Sequence, residues 1–260
     1  MKKYIYKSLF FAFTLLLISC SKNDDTPSQS IWLPVNMEII YPTSAASYQT
    51  LDISYTNEFL IQNVTRNLSS GNKISYDCAY NDLQLLSNLK ITDLPSGEET
   101  NYQMAYTNGI VTKITVSQSG STTEYNIDHD SNTNIYRYNF PYTWKFNAEN
   151  NFEYYFFSSD KTLQVTYESG NGFNHFMKPQ PALAILDSYF RENFFQDLYF
   201  LSTKPIKETR FEDLVSSDII ESHFTHTFNS NNHISKTEIR INTDTNPFLI
   251  KNITYQQKIY

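Results

Sequence analysis

Glycine is scarce in this chain, with 6 residues in 260. Phosphate loops and dinucleotide-binding turns need clustered glycines so that the backbone can approach an anion, and no such cluster is present. A nucleophile elbow and a zinc-protease pattern are missing as well. The expectation is therefore a non-enzymatic protein with no cofactor and no metal. Basic residues are also in deficit, 20 Lys and Arg against 27 Asp and Glu, which leaves no electrostatic footprint for nucleic acid. Long apolar runs are lacking too. The best, Leu9 to Ile18, would rise about 15 Å as a helix, half of a bilayer core, so a transmembrane helix is not expected.

That short run has the form of an export signal. Lys2, Lys3 and Lys7 make its basic end, and Leu17-Ile18-Ser19-Cys20 closes it. Leu at −3, a small Ser at −1 and Cys at +1 resemble the lipobox of a bacterial lipoprotein. The resemblance implies cleavage before Cys20, acylation of Cys20 and attachment to a membrane through its acyl chains. Cys78 would then be the one thiol left, so no internal disulfide can form. Cleavage removes three lysines and no acid, taking the formal charge from −7 to −10. Residues 21–30 are polar and read as a tether. Their Ser21-Lys22-Asn23-Asp24-Asp25 start resembles the acidic export signal of Bacteroidetes-type surface lipoproteins. That implies the outer face of the outer membrane, with the periplasmic leaflet as the alternative. The expected plan is a signal over 1–19, an acylated tether over 20–34 and one β-rich domain over 35–260.

Tyr and Phe are abundant, at 20 and 19 residues. With Asn, Ser and Thr at the turns, they point to sheet. Blocks beginning Tyr55-Thr56-Asn57, Tyr80-Asn81-Asp82 and Tyr106-Thr107-Asn108-Gly109 each precede an alternating apolar run. Their tyrosines lie 25 and 26 residues apart, about two strands and two turns. In the third block Tyr102, Met104 and Tyr106 alternate, Asn108-Gly109 supplies a tight turn, and Ile110, Thr112, Ile114 and Val116 are expected to return along one face. Phe224 to Phe228, Asn229 to Asn232 and Ile234 to Ile241 repeat the scheme. Such blocks, with Asp128-His129-Asp130-Ser131-Asn132-Thr133-Asn134, resemble degenerate tyrosine–aspartate (YD/RHS-like) hairpins of Bacteroidetes lipoproteins carrying a domain of unknown function. The resemblance covers residues 50–140 and 220–260 and implies no catalytic residues. The fold expected is mainly β, a single curved antiparallel meander sheet like a half-barrel, with one helical insertion near 182–201. There Leu183, Ile185, Leu186, Tyr189 and Phe190 make a helical stripe behind Pro179-Gln180-Pro181, expected to cover one face of the sheet.

Candidate chemistry is sparse. Asp128, Asp130, Asn132 and Asn134 alternate like the first ligands of a calcium loop, but Thr133 and Asn139 stand where such a loop needs Gly and Glu, so an ordinary turn is expected. His223 and His226 should point to opposite faces of a strand. His129, His175 and His233 read as turn residues without recognisable partners. Cys78 reads as a structural thiol. Trp32, Tyr142, Trp144 and Tyr154 are the candidate ligand-facing aromatics, and Tyr154 to Phe157 reads as a strand covered on both sides. The leading expectation is a membrane-anchored interaction or structural module with an unknown protein or glycan ligand. A glycan-binding accessory protein and a carrier of a hydrophobic molecule are the alternatives. Exposed coplanar aromatics would favour the first of these, a lined internal cavity the second.

Overall fold

The computed structural model describes residues 30–42, 48–139, 141–156, 160–178, 180–190 and 202–259, with backbone alone at 187–190. The signal, Cys20, most of the tether and residues 191–201 of the expected helix lie outside them. Contacts divide the chain into two units. The smaller comprises Met1–Trp32 with Gln257–Tyr260, and its described part is two strand ends. The larger, Leu33–Gln256, holds the core and is the body described below.

The strands run in chain order as β1 (Ser30–Ile40), β2 (Tyr48–Tyr55), β3 (Ile61–Leu68), β4 (Lys73–Tyr80), β5 (Leu86–Asp93), β6 (Glu99–Thr107), β7 (Ile110–Gln118), β8 (Ser121–Asn126) and β9 (Asp128–Asp130). There follow β10 (Ile135–Tyr138), β11 (Tyr142–Phe146), β12 (Phe152–Phe156), β13 (Lys161–Tyr167), the helix α1 (Pro181–Phe190), β14 (Ile206–Asp213), β15 (Asp218–Phe228), β16 (Ile234–Ile241) and β17 (Leu249–Ile259). They form one antiparallel meander, nearly closed into a barrel with one seam. The expected curved sheet is present, and its curvature goes further than a half-barrel.

Four hairpins close without glycine by one shared device. Thr56, Asn81, Asn147 and Asn229 each follow an aromatic residue, and each side-chain oxygen accepts two backbone N–H groups, two and four residues on. These bonds offset the cost of a left-handed residue, about 1–2 kcal/mol. Phe59, Gln84, Asn150 and Asn232 occupy that conformation, at φ 62°, 61°, 59° and 61°. The preceding aromatic, Tyr55, Tyr80, Phe146 or Phe228, sits at a register shift opposite Ile61, Leu86, Phe152 or Ile234. Each bulge sharpens the local twist, and repeated bulges curl the sheet.

The bulges also carry a ladder of tyrosines. Tyr80 Oη donates to the carbonyl of Ile61 at 2.9 Å, the residue opposite Tyr55. Tyr106 Oη donates to the carbonyl of Leu86 at 2.7 Å, the residue opposite Tyr80. Tyr55 reaches Pro34 O at 2.6 Å, and Tyr167 reaches Phe152 O. On the next rung His226 takes over: its Nε2–H donates to Ile206 O, and its Nδ1 accepts from the Thr237 hydroxyl, both at 2.8 Å. At these positions a hairpin is thus fastened to the strands before it.

One expectation changes. The register shift at Tyr106 places Tyr106 opposite Val111, so Val111 and Ile114 enter the core while Ile110 and Thr112 stay half-buried. A one-residue bulge reverses the alternation that the sequence suggests. The helix packs against the apolar face of the sheet, as expected, and is buried there. Ala182 to Leu186 are all at most 3% exposed and belong to the same apolar cluster as the strands. Pro181 opens it as its first residue, and Gln180 pins it by accepting from Leu86 N–H and donating to Gln84 O.

Asn108 and Gly109 have φ 54° and 80°, and Ser119 and Gly120 have φ 49° and 80°, so both pairs form two-residue turns of the same kind. Ser119-Gly120 is therefore as tight as Asn108-Gly109, although its sequence reads as a looser loop. Open space surrounds both glycines, leaving backbone strain as the whole cost of a side chain. Gly109→Val and Gly120→Val should each lose about 1–2 kcal/mol in urea unfolding. Tyr106→Phe should lose about 1–2 kcal/mol by stranding the Leu86 carbonyl. An unchanged urea midpoint for Tyr106→Phe would show that the ladder adds nothing to stability.

Candidate functional site

Residues opposite one another in an antiparallel ladder share a face of the sheet. Asp128, Arg137, Thr143 and Phe156 are aligned in this way across β9, β10, β11 and β12. Tyr154 lies on the same face, opposite Lys145. Together with Asn139 and Tyr142 these side chains line a cleft of about 490 Å³, within the usual size of small-ligand sites.

Its floor is aromatic. The rings of Tyr154 and Phe156 lie 6.3 Å apart and 19° from parallel, both half-buried. Tyr142 stacks on Tyr138 at 6.5 Å and 30°, and Tyr138 meets Tyr125 edge-on at 5.3 Å. Partial burial raises the Tyr154 phenol above its usual value, so it stays a neutral hydroxyl. The polar wall is unspent. Arg137 and Asp128 face each other in the ladder, yet neither side chain makes a hydrogen bond or ion pair among the described residues. Asp130, the nearby acid, is occupied in its own turn by Asn132 N–H and the Thr133 hydroxyl, and these bonds hold its carboxyl below the usual range.

Of the four aromatic candidates, the cleft brings together Tyr142 and Tyr154. Trp144 is not available to a ligand. It is 0% exposed on the opposite face and stacks on Tyr155 at 5.3 Å and 11°, because 144 and 155 pair with each other. Trp32 is half-buried in β1 and does not line the cleft. Nor is β12 covered on both sides: Phe152 and Tyr155 are buried, while Tyr154 and Phe156 remain accessible. Alternation along Tyr154-Tyr155-Phe156 could have paired Phe156 with Tyr154 from sequence. Arg137, Asp128 and Asn139 carried no such signal, since two separate strands and a turn bring them together.

The other candidate groups are spent on structure. Asn134 donates to Asn147 O and Asn150 Oδ1, tying two hairpins together instead of facing a cation. Cys78 is packed beside the core. Burial pushes its thiol up to about 12, the Asp77 charge adds to this, and a hydrogen bond with Tyr80 opposes it. His223 lies near Glu208, on the other face from His226. His175 and His233 do have partners, against the sequence expectation. They stack on each other at 5.0 Å, and His233 stacks in turn on Tyr255 at 5.1 Å. Burial lowers both imidazoles below their ordinary value, and His175 lowers His233 further.

No family model matches the chain, and no curated protein does. Among solved structures, a porin-like protein from Bacteroides uniformis ATCC 8492 is similar, with a TM-score of 0.51 and 14% identity over 89% of this chain and 98% of that one. A porin-like protein from Bacteroides vulgatus ATCC 8482 follows at a TM-score of 0.39 and 10% identity, over 87% and 99%. A chain of a TcdB2–TccC3–Cdc42 complex follows at 0.30 and 9%, over 80% of this chain and 12% of that one. The first of these likenesses extends to the fold as a whole.

The histidines generate a pH prediction. His175, His226 and His233 all have folded values below the ordinary imidazole value of about 6.5. Above that value both folded and unfolded states are neutral at these sites and stability is flat. As the pH falls below it, the unfolded chain takes up protons first and stability declines. The urea midpoint should therefore be lower at pH 5.5 than at pH 7.5, and His233→Phe should shrink the difference. Equal midpoints would show that these imidazoles are not held neutral by the fold.

Proposed function

We propose that the protein is a lipid-anchored, non-enzymatic binding module of a bacterial cell surface, with the Tyr142–Tyr154–Phe156 cleft as its ligand site. One observation carries the binding role. The cleft gathers accessible aromatics around an arginine and an aspartate that have no hydrogen-bond or ion-pair partners among the described residues. Unspent donors and acceptors beside an apolar platform are what a polar ligand with an apolar face requires. Anchoring is supported by Leu17-Ile18-Ser19-Cys20 and the polar stretch behind it.

The chemistry of the two sheet faces argues against a membrane pore for this chain. Its apolar face is buried against itself and against α1. The other face carries Asn63 with Ser75 and Asp77, Asn67 with Thr50 and Asp52, and the pairs Lys90–Glu99 and Lys113–Glu124. A barrel that spans a bilayer presents an apolar band outward instead. Among the alternatives, a glycan-binding accessory protein is favoured over a hydrophobic carrier. The accessible, mutually stacked Tyr154 and Phe156 suit a sugar ring, while α1 takes up interior space that an apolar cargo would need.

Cys20→Ala should move the protein from the membrane fraction to the soluble fraction with its circular dichroism unchanged, since the polar tether separates the anchor from the sheet. Retention in membranes after a high-salt wash would refute the lipid anchor.

A further inference from the structure

We propose that the cleft on β9–β12 is a subsite for a neutral pyranoside and discriminates against acidic sugars, an assignment that rests on reading the protein as a binding module. The apolar half of the argument is the platform. The rings of Tyr154 and Phe156 stack on each other on one face of one strand, 6.3 Å apart and 19° from parallel, and both are half-buried, so each keeps an accessible aromatic part toward the cleft. The C–H face of a pyranose ring stacks on such a surface, because C–H hydrogens are electropositive and the ring face is electronegative. Tyr142, braced by Tyr138 and Tyr125, is held in place before the ligand arrives.

The polar half decides the class of sugar. Arg137 supplies donors only and Asp128 acceptors only, at opposed positions of adjacent strands. Each hydroxyl of a neutral sugar can both donate and accept, so neighbouring hydroxyls satisfy the two groups together. Arg137 and Asp128 carry opposite charges, the Asp130 carboxylate is also within range of the Arg137 charge, and the chain as a whole has formal charge −7. A carboxylate placed against Arg137 would also face Asp128 and the field of the whole molecule. A cation would be drawn by that field but would lie against the Arg137 guanidinium. The ligand that uses every group and opposes none is an uncharged polyol with an apolar face.

Glycan-array binding followed by calorimetry on the full acylated chain in detergent tests the assignment. The probes are neutral hexasaccharides (α- and β-1,4-glucan, β-1,4-mannan, β-1,4-xylan) and acidic ones (oligogalacturonate, oligomannuronate). The expected result is binding of at least one neutral probe and weaker or no binding of the acidic ones. Tyr154→Ala and Arg137→Met should each weaken it about tenfold while leaving the melting temperature in place. Phe248→Ala, an exposed aromatic that does not line the cleft, should leave affinity unchanged. Acidic probes that bind as tightly as neutral ones, with both cleft variants impaired, would overturn the neutral-sugar assignment and leave the cleft as the ligand site. Binding to no saccharide, or binding indifferent to both cleft variants, would overturn the assignment and the cleft together.

Discussion

The structure depends on a hydroxyl of one hairpin reaching a backbone carbonyl of the hairpin before it. Tyr80 to Ile61, Tyr106 to Leu86 and Tyr167 to Phe152 repeat this contact, and each accepting residue is the ladder partner of the previous aromatic. A bulge leaves a carbonyl without its ladder partner, and an unpaired buried carbonyl is costly. The tyrosine satisfies it while its ring fills the space that the bend opens. Burial raises the phenols of Tyr80, Tyr106 and Tyr167 well above their ordinary value, so the donors persist across the accessible pH range. Where the series passes Tyr167, His226 takes the same part with a nitrogen donor and a fixed tautomer.

From that fastening follow the curl of the sheet and the separation of its two faces. The inner face joins α1 in one apolar cluster, with Trp144, Tyr76, Tyr102 and Phe152 fully buried. The chain draws in close behind it at Gly172, where an added Cβ would lie 2.5 Å from the backbone of Lys204. The other face is left to polar cross-strand pairs. On β9–β12 it departs from that rule, since Tyr154 and Phe156 lie where a solvated strand would carry polar residues. An aromatic pair outside the core, next to an arginine and an aspartate that make no ion pair among the described residues, is a departure that stability alone does not explain.

Much of the hairpin plan is legible in residues. The turns at Tyr55, Tyr80, Tyr106 and Phe228 fall where an aromatic residue is followed by Asn or Thr, and Asn108-Gly109 forms its expected tight turn. Less legible is the turn at Phe146-Asn147, which obeys the same rule but has Ala148 and Glu149 in a place where turn formers were sought. Parity after a bulge is not legible at all. Val111 is buried and Thr112 is not because one extra residue enters the strand at Tyr106, and nothing local to Ile110–Val116 announces it. The partners of His175 and His233 were hidden for a different reason, since they lie far apart in the chain and meet by stacking alone.

By itself the sequence determined the class of structure, the positions of most turns and, among the described residues, the lack of a helix long and apolar enough to cross a bilayer. These are local properties, set by alternation, by side chains that bond their own backbone, and by the length of apolar runs. It also marked Cys20 by the pattern around it. Only the tertiary structure decided which face each aromatic occupies: Trp144 went to the core, and Tyr154 and Phe156 to the cleft. It alone placed Arg137 opposite Asp128. The physical reason is that facing and proximity depend on the sum of bulges and registers along the whole meander, and each one-residue shift reverses every side chain that follows.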